Sequence, residues 1–202
     1  MKFIELNGRK VLFRLIINLF IYSLVAMTCY EIMKKHGNSP DDTPIMLTFV
    51  YCVGLVWFLI FFFAGWYAFR ISRKLFTFIK TLAIFDNNDY FVGYIEKHSS
   101  IFYTSECLCG NINGYPVIIS FELATDKGQT SKLNFEFITT KFNHTHTERL
   151  PVIVNWLNGY RPIVDVKKEV NSFVGMLTSK STVIGSFDAM IADKSLSLAE
   201  NS

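Results

Sequence analysis

No charged residue occurs between Ile45 and Phe69, a run of 25 positions. A helix on a soluble core carries charge on its outer side, so the gap argues for hydrocarbon all round. At 1.5 Å per residue the run reaches about 37 Å, enough to cross an apolar layer of about 30 Å with some tilt. Cysteine is scarce too. Cys29, Cys52, Cys107 and Cys109 are the whole set, too few for a disulfide framework, and they fit reduced thiols in a cytosolic compartment. The P-loop, the dinucleotide glycine pattern, the G-x-S-x-G elbow and the H-E-x-x-H helix are all missing. Neither catalysis nor a cofactor is therefore expected. After residue 85 the basic residues are scattered among acids, which leaves no stripe for nucleic acid. Internal repeats and low-complexity linkers are absent as well.

What the sequence does have is apolar mass at one end. Half of its 202 residues are hydrophobic, 20 are phenylalanine, and the net charge is only +3. The excess lies before residue 85. A first span runs from about Val11 to Tyr30, with Arg14 near enough to its start to snorkel to the headgroups. It is longer than a signal-peptide core and no small-x-small site follows, so an uncleaved helix is expected. The second span covers about 45–69. Between them, Lys34 to Pro44 (KKHGNSPDDTP) reads as a short polar turn. Lys2, Arg9, Lys10 and Arg14 flank the first span; Arg70, Arg73, Lys74 and Lys80 follow the second. The turn carries only Lys34 and Lys35, opposed by Asp41 and Asp42. The positive-inside rule then puts both termini in the cytoplasm of a two-pass protein of the plasma (inner) membrane, bacterial in layout. Asn18, Ser23, Thr28, Thr48 and Gly54 suit helix–helix packing inside the spans.

From 70 to 84, Ile71, Leu75, Phe78, Ile79 and Leu82 recur at helical spacing. This predicts an amphipathic juxtamembrane helix whose Arg70, Arg73, Lys74 and Lys80 meet anionic lipid. Asp86-Asn87-Asn88-Asp89 breaks the pattern, and we place a domain boundary there: 1–85 hairpin, 86–191 cytoplasmic α+β domain, 192–202 flexible tail. Beyond it the period changes to two. Strands are predicted over Tyr90–Glu96, Ile101–Cys109, Tyr115–Ala124 and Lys132–Phe142. The Asn113-Gly114 turn makes the middle pair a hairpin. Val117, Ile119, Phe121 and Leu123 should face the core, as should Leu133, Phe135 and Phe137. The segment 148–159 reads as a helix with Pro151 in its first turn, in preference to a strand running into Asn158-Gly159. Pro162 suits the first turn of a second helix carrying Ile163, Val166, Val170, Phe173, Val174 and Leu177. The fold class expected is a membrane protein: a two-helix N-terminal transmembrane hairpin plus a small α+β domain with an antiparallel meander and one or two C-terminal helices.

Chemistry has few places to sit. Cys107-x-Cys109 and His144-x-His146 offer four ligand types, but at spacings tighter than structural zinc sites use, so no metal is expected. Glu96, Glu106, Glu122 and Glu136 fall at strand positions where a solvated face expects acids. Tyr94, Tyr103, Tyr115, Trp156, Tyr160 and Arg161 are of the types that dominate binding hot spots, and they form the candidate partner-binding set. The layout is similar to small membrane-anchored immunity and exclusion proteins, which block an incoming toxin or conjugation machine. That likeness implies a non-enzymatic recognition protein with another protein as partner, besides the lipid bilayer and homo-oligomers through the spans. The alternative is a likeness to two-span, β-rich effectors of nucleotide-signalled defence. It implies a ligand-gated membrane effector whose β domain binds a nucleotide signal and whose spans oligomerise.

Overall fold

The computed structural model describes residues 3–35, 42–95, 104–124, 130–141, 144–155, 159–192 and 197–198. The chain falls into two compact units, the first ending at Tyr67 and the second starting at Ala68.

The first unit is a pair of long helices, α1 (Phe3–Lys35) and the greater part of α2 (Asp42–Thr81). Both are long and apolar enough to cross a membrane. They meet where bulk is lowest. A Cβ on Gly54 would fall 2.7 Å from the Tyr22 ring, so only glycine lets the helices approach here. At the same level the Asn18 amide Nδ2 donates to the Gly54 carbonyl at 3.0 Å. The Ser23 and Tyr51 hydroxyls share a hydrogen bond of 3.1 Å. Thr28 and Thr48 instead donate to carbonyls of their own helices, Leu24 and Pro44. Of the five small or polar residues that suit packing, Asn18 and Gly54 serve the contact between helices, Thr28 and Thr48 bond within them, and Ser23 does both, also donating to the Leu19 carbonyl at 2.8 Å.

In the second unit, five long strands form an antiparallel meander. They are β1 (Tyr90–Ile95), β2 (Ser105–Ile112), β3 (Tyr115–Glu122), β4 (Lys132–Lys141) and β5 (His144–Asn155). Short strands β6 (Arg161–Pro162), β7 (Val183–Ile184) and β8 (Ser197–Leu198) pair with β5, β4 and β1 respectively. The order β6-β5-β4-β3-β2-β1-β8 runs open from one edge to the other. The β2–β3 turn is Asn113 (φ 50°) and Gly114 (φ 81°), the left-handed pair that the strand twist favours. Its two amides donate to the Asp86 carboxylate at 2.8 and 2.7 Å. Asp86 opens a 3-10 turn (Asp86–Asn88), so the polar break after α2 also clamps a hairpin 27 residues away.

The sheet's first face carries the main core. Leu108, Ile112, Val117, Ile119, Phe121, Leu133, Phe135, Phe137, Val152 and Val154 pack beneath α3 (Val166–Ser179) and the end of α2. α3 contributes Val166, Val170, Val174 and Leu177, and α2 contributes Ile71, Leu75, Phe76 and Ile79. Fully burying each such side chain is worth about 1.5–3 kcal/mol. The stretch 70–81 thus continues α2 and lies in the second unit with the sheet, upstream of the polar break. The opposite face holds a smaller cluster, Cys107, Cys109, Ile118 and Ile138, packed against Ile95 and a short helix α4 (Phe187–Ala192).

Two expectations need correcting. The segment 148–155 is strand, not helix. Pro151 is tolerated because β5 lies near an edge. The Ile153 carbonyl accepts from Ile163 on the outer side, so by alternation Pro151 also turns its backbone outward and costs the β4 ladder no bond. Pro162 does not begin α3. The Asp165 carboxylate caps that helix, accepting from the Lys168 amide at 3.3 Å, and a side-chain cap outweighs a favoured proline position. Ile163 consequently falls outside α3 and is 60% exposed. Within the segment read as a tail, Ser197 and Leu198 pair with Tyr94 and Gly93.

Candidate functional site

A buried charged group of the second unit lies where the end of α2 meets β2. Glu106 on β2 is 5% exposed. Its carboxylate pairs with the Arg73 guanidinium of α2 at 3.2 Å. Tyr94 stands directly opposite Glu106 on β1, and paired residues of an antiparallel ladder share a face. Burial raises the Glu106 carboxyl above its ordinary range, and the Arg73 charge pulls it part of the way back. Burial also raises the Tyr94 phenol, with the Glu106 charge adding to it. Arg73 lies over the Phe69 ring at 5.5 Å as well. This corner is an ion pair with a phenol beside it.

Glu106 is the residue that sequence reasoning misplaced, since it had been assigned to a solvated face. Parity could have found it: Glu106, Leu108 and Ile112 lie on one side of β2, and that side is core.

The cationic residues assigned to the bilayer surface divide. Arg73 engages Glu106, and the Lys80 ammonium sits over the Tyr90 ring at 4.7 Å. The Arg70 and Lys74 side chains are exposed. The hot-spot residues also divide. Tyr115 is buried in the core, its hydroxyl donating to the Thr182 carbonyl at 3.2 Å. Tyr160 sets its ring edge-on against Phe121 at 6.3 Å. Arg161 is exposed on β6, at the far side of the sheet from Tyr94 on β1. Tyr103 and Trp156 lie outside the described residues. The structure therefore does not gather Tyr94, Tyr115, Tyr160 and Arg161 into one patch: two are packing residues, and the other two stand at opposite ends of the strand order.

Cys107 and Cys109 are fully buried with their Sγ atoms 3.7 Å apart, while His144 and His146 are exposed on β5, three strands away. Among the described residues no group of three or more His, Cys, Asp or Glu side chains is placed to hold a metal ion. Glu122 accepts from the Asn134 amide at 2.9 Å, and Glu136 pairs with Arg149 at 2.9 Å. Glu96 lies outside the described residues. In the first unit, an open cleft of about 230 Å³ runs beside the Asn18–Gly54 contact, lined by Leu15, Leu19, Tyr22, Leu55 and Phe58. Nearby, Arg14 holds its guanidinium 4.2 Å over the Phe61 ring.

Comparison with family models, with curated proteins and with solved structures finds no match to this chain.

Proposed function

We propose that this protein is a membrane-anchored recognition protein with no chemistry of its own, of the immunity or exclusion kind. A two-helix hairpin holds it in the plasma (inner) membrane, and its α+β domain contacts another protein on the cytoplasmic side. One observation carries the reading. In the most apolar stretches of α1 and α2 only 6% and 11% of the residues are buried. Leu12, Phe13, Ile16, Phe20, Phe49, Leu55 and Phe63 all stand exposed. Apolar surface on this scale demands a cover, and lipid is the cover that two apolar spans of this length fit. The polar atoms between the helices support the same environment, because Asn18, Ser23 and Tyr51 find partners within the pair. The flanking cations support cytoplasmic termini.

The test is a pair of carboxyl-terminal fusions in a bacterial host, one reporter active only in the cytoplasm and one only in the periplasm. Cytoplasmic activity, a membrane-pelleted product and normal growth on expression support the reading. Periplasmic activity or a product that stays in the supernatant without detergent overturns it. Growth arrest on expression would favour the nucleotide-gated effector instead.

A further inference from the structure

The open cleft between α1 and α2 has a definite shape and a charged end. α1 lines it from Leu15 to Tyr22, and α2 from Tyr51 to Phe58. The Asn18 amide donates to the Gly54 carbonyl and the Tyr51 hydroxyl bonds Ser23, so these polar groups serve the helix pair. The wall left to an occupant is almost wholly apolar. Between Leu15 and Tyr22 a helix rises about 10 Å. Spread over that length, the volume of about 230 Å³ gives a section of about 20 Å². A helix, about 10–12 Å across, has a section several times larger. A third helix can offer this cleft only single side chains, whereas one extended hydrocarbon chain lies along it.

The cations stand in line with the cleft. Phe58 lines it and also lines the neighbouring notch, where Arg14 holds its guanidinium 4.2 Å over the Phe61 ring. Lys10 lies one turn nearer the amino terminus on the same face of α1. Along α1 the order is thus two cations and then an apolar trough leading away from them. A phosphate followed by an acyl chain has the complementary order. One leaflet of the apolar layer is about 15 Å deep, and the trough covers about 10 Å of it.

We propose that the helix hairpin holds one phospholipid of the cytoplasmic leaflet, its phosphate on the Arg14 guanidinium and one acyl chain in the cleft from Leu15 to Tyr22. The planar guanidinium fork matches phosphate oxygens, and its seat over Phe61 fixes where the fork stands. The chain touches both helices at once, so the lipid fastens α1 to α2 beside Gly54. The inference rests on the membrane-anchor reading and names a ligand within it.

Native mass spectrometry of the full chain, purified in detergent micelles and supplied with dioleoylphosphatidylglycerol, tests this. The parent should keep one lipid after the micelle is stripped away. Leu19→Trp and Leu55→Trp fill the cleft, and each should cut the retained fraction about fivefold or more. Arg14→Gln should cut it about as far by removing the charge-assisted contact. It adds no bulk, so a cleft variant that fails to fold leaves the test standing. Phe20 is exposed and does not line the cleft, and Phe20→Trp should leave retention unchanged. Equal loss in Phe20→Trp would mean an unspecific lipid annulus and would overturn the site. Full retention in Arg14→Gln or in a folded Leu55→Trp chain would do the same. A parent that carries no lipid overturns it too, and if that parent is a dimer the cleft belongs to a second copy. Sedimentation without detergent keeps the two readings apart. A chain that pellets with membranes yet holds no lipid loses the site and keeps the anchor; one that stays in the supernatant loses both.

Discussion

At the scale of single residues, Glu106 and Arg73 are an unequal pair. Glu106 is 6% exposed at the side chain and Arg73 49%. Removing the charge of Glu106 leaves an arginine that water can still solvate. Removing Arg73 leaves a carboxylate with its strongest partner gone and little water to replace it. Glu106→Gln should therefore be neutral or slightly stabilising at neutral pH. Arg73→Ala should cost about 1–3 kcal/mol, a range reduced for the half-solvated arginine. The double variant should recover most of that loss in a denaturant titration. The pH dependence has a definite sign. A carboxyl raised on folding binds its proton more tightly in the native state, so its contribution to stability declines as pH rises from the ordinary glutamate value through the raised one. As pH rises above the ordinary glutamate value, the difference in stability between Glu106→Gln and the parent should grow in favour of the variant.

Elements are tied together by contacts that local pattern does not announce. The Asp86 carboxylate takes both amides of the Asn113-Gly114 turn. Asp86→Ala should cost about 1.5–3 kcal/mol, seen as a lower urea midpoint with faster amide exchange at the β2–β3 turn. In the helix pair, Gly54 is the point of closest approach. Gly54→Leu would drive a side chain into the Tyr22 ring and break the Asn18 contact. A disulfide engineered through Ser23→Cys and Tyr51→Cys should form readily in the parent and sparsely in the Gly54→Leu background. The β5 strand teaches a different lesson. Pro151 and Gly159 spell helix start and helix stop, and Val152, Ile153 and Val154 spell strand. The β4 ladder decided for strand, because Leu133 and Phe135 needed partners across it. Local signals of similar strength cannot settle such a segment alone.

For the whole molecule, the prediction that matters is solvent. Alkaline carbonate should leave the chain in the membrane pellet, and only detergent should release it; extraction by alkali or high salt alone would mean a peripheral protein. The layout of two long apolar helices, a strand-rich middle and a helix near the carboxyl end was legible in the sequence, as were the hairpin turn and the inward faces of β3, β4 and α3. Each rests on residues near one another in the chain: an uncharged run, a period of two or 3.6, an Asn-Gly pair. The union of the α2 end with the sheet was not legible, and neither was the burial of Glu106, the division of the tyrosines between core and surface, or the packing of α4 on the second face. These depend on which distant segments meet. Local periodicity establishes that a helix has an apolar side. Only the assembled sheet decides whether that side meets lipid or Phe135, because hydrophobic burial rewards contact with any apolar neighbour and carries no address of its own.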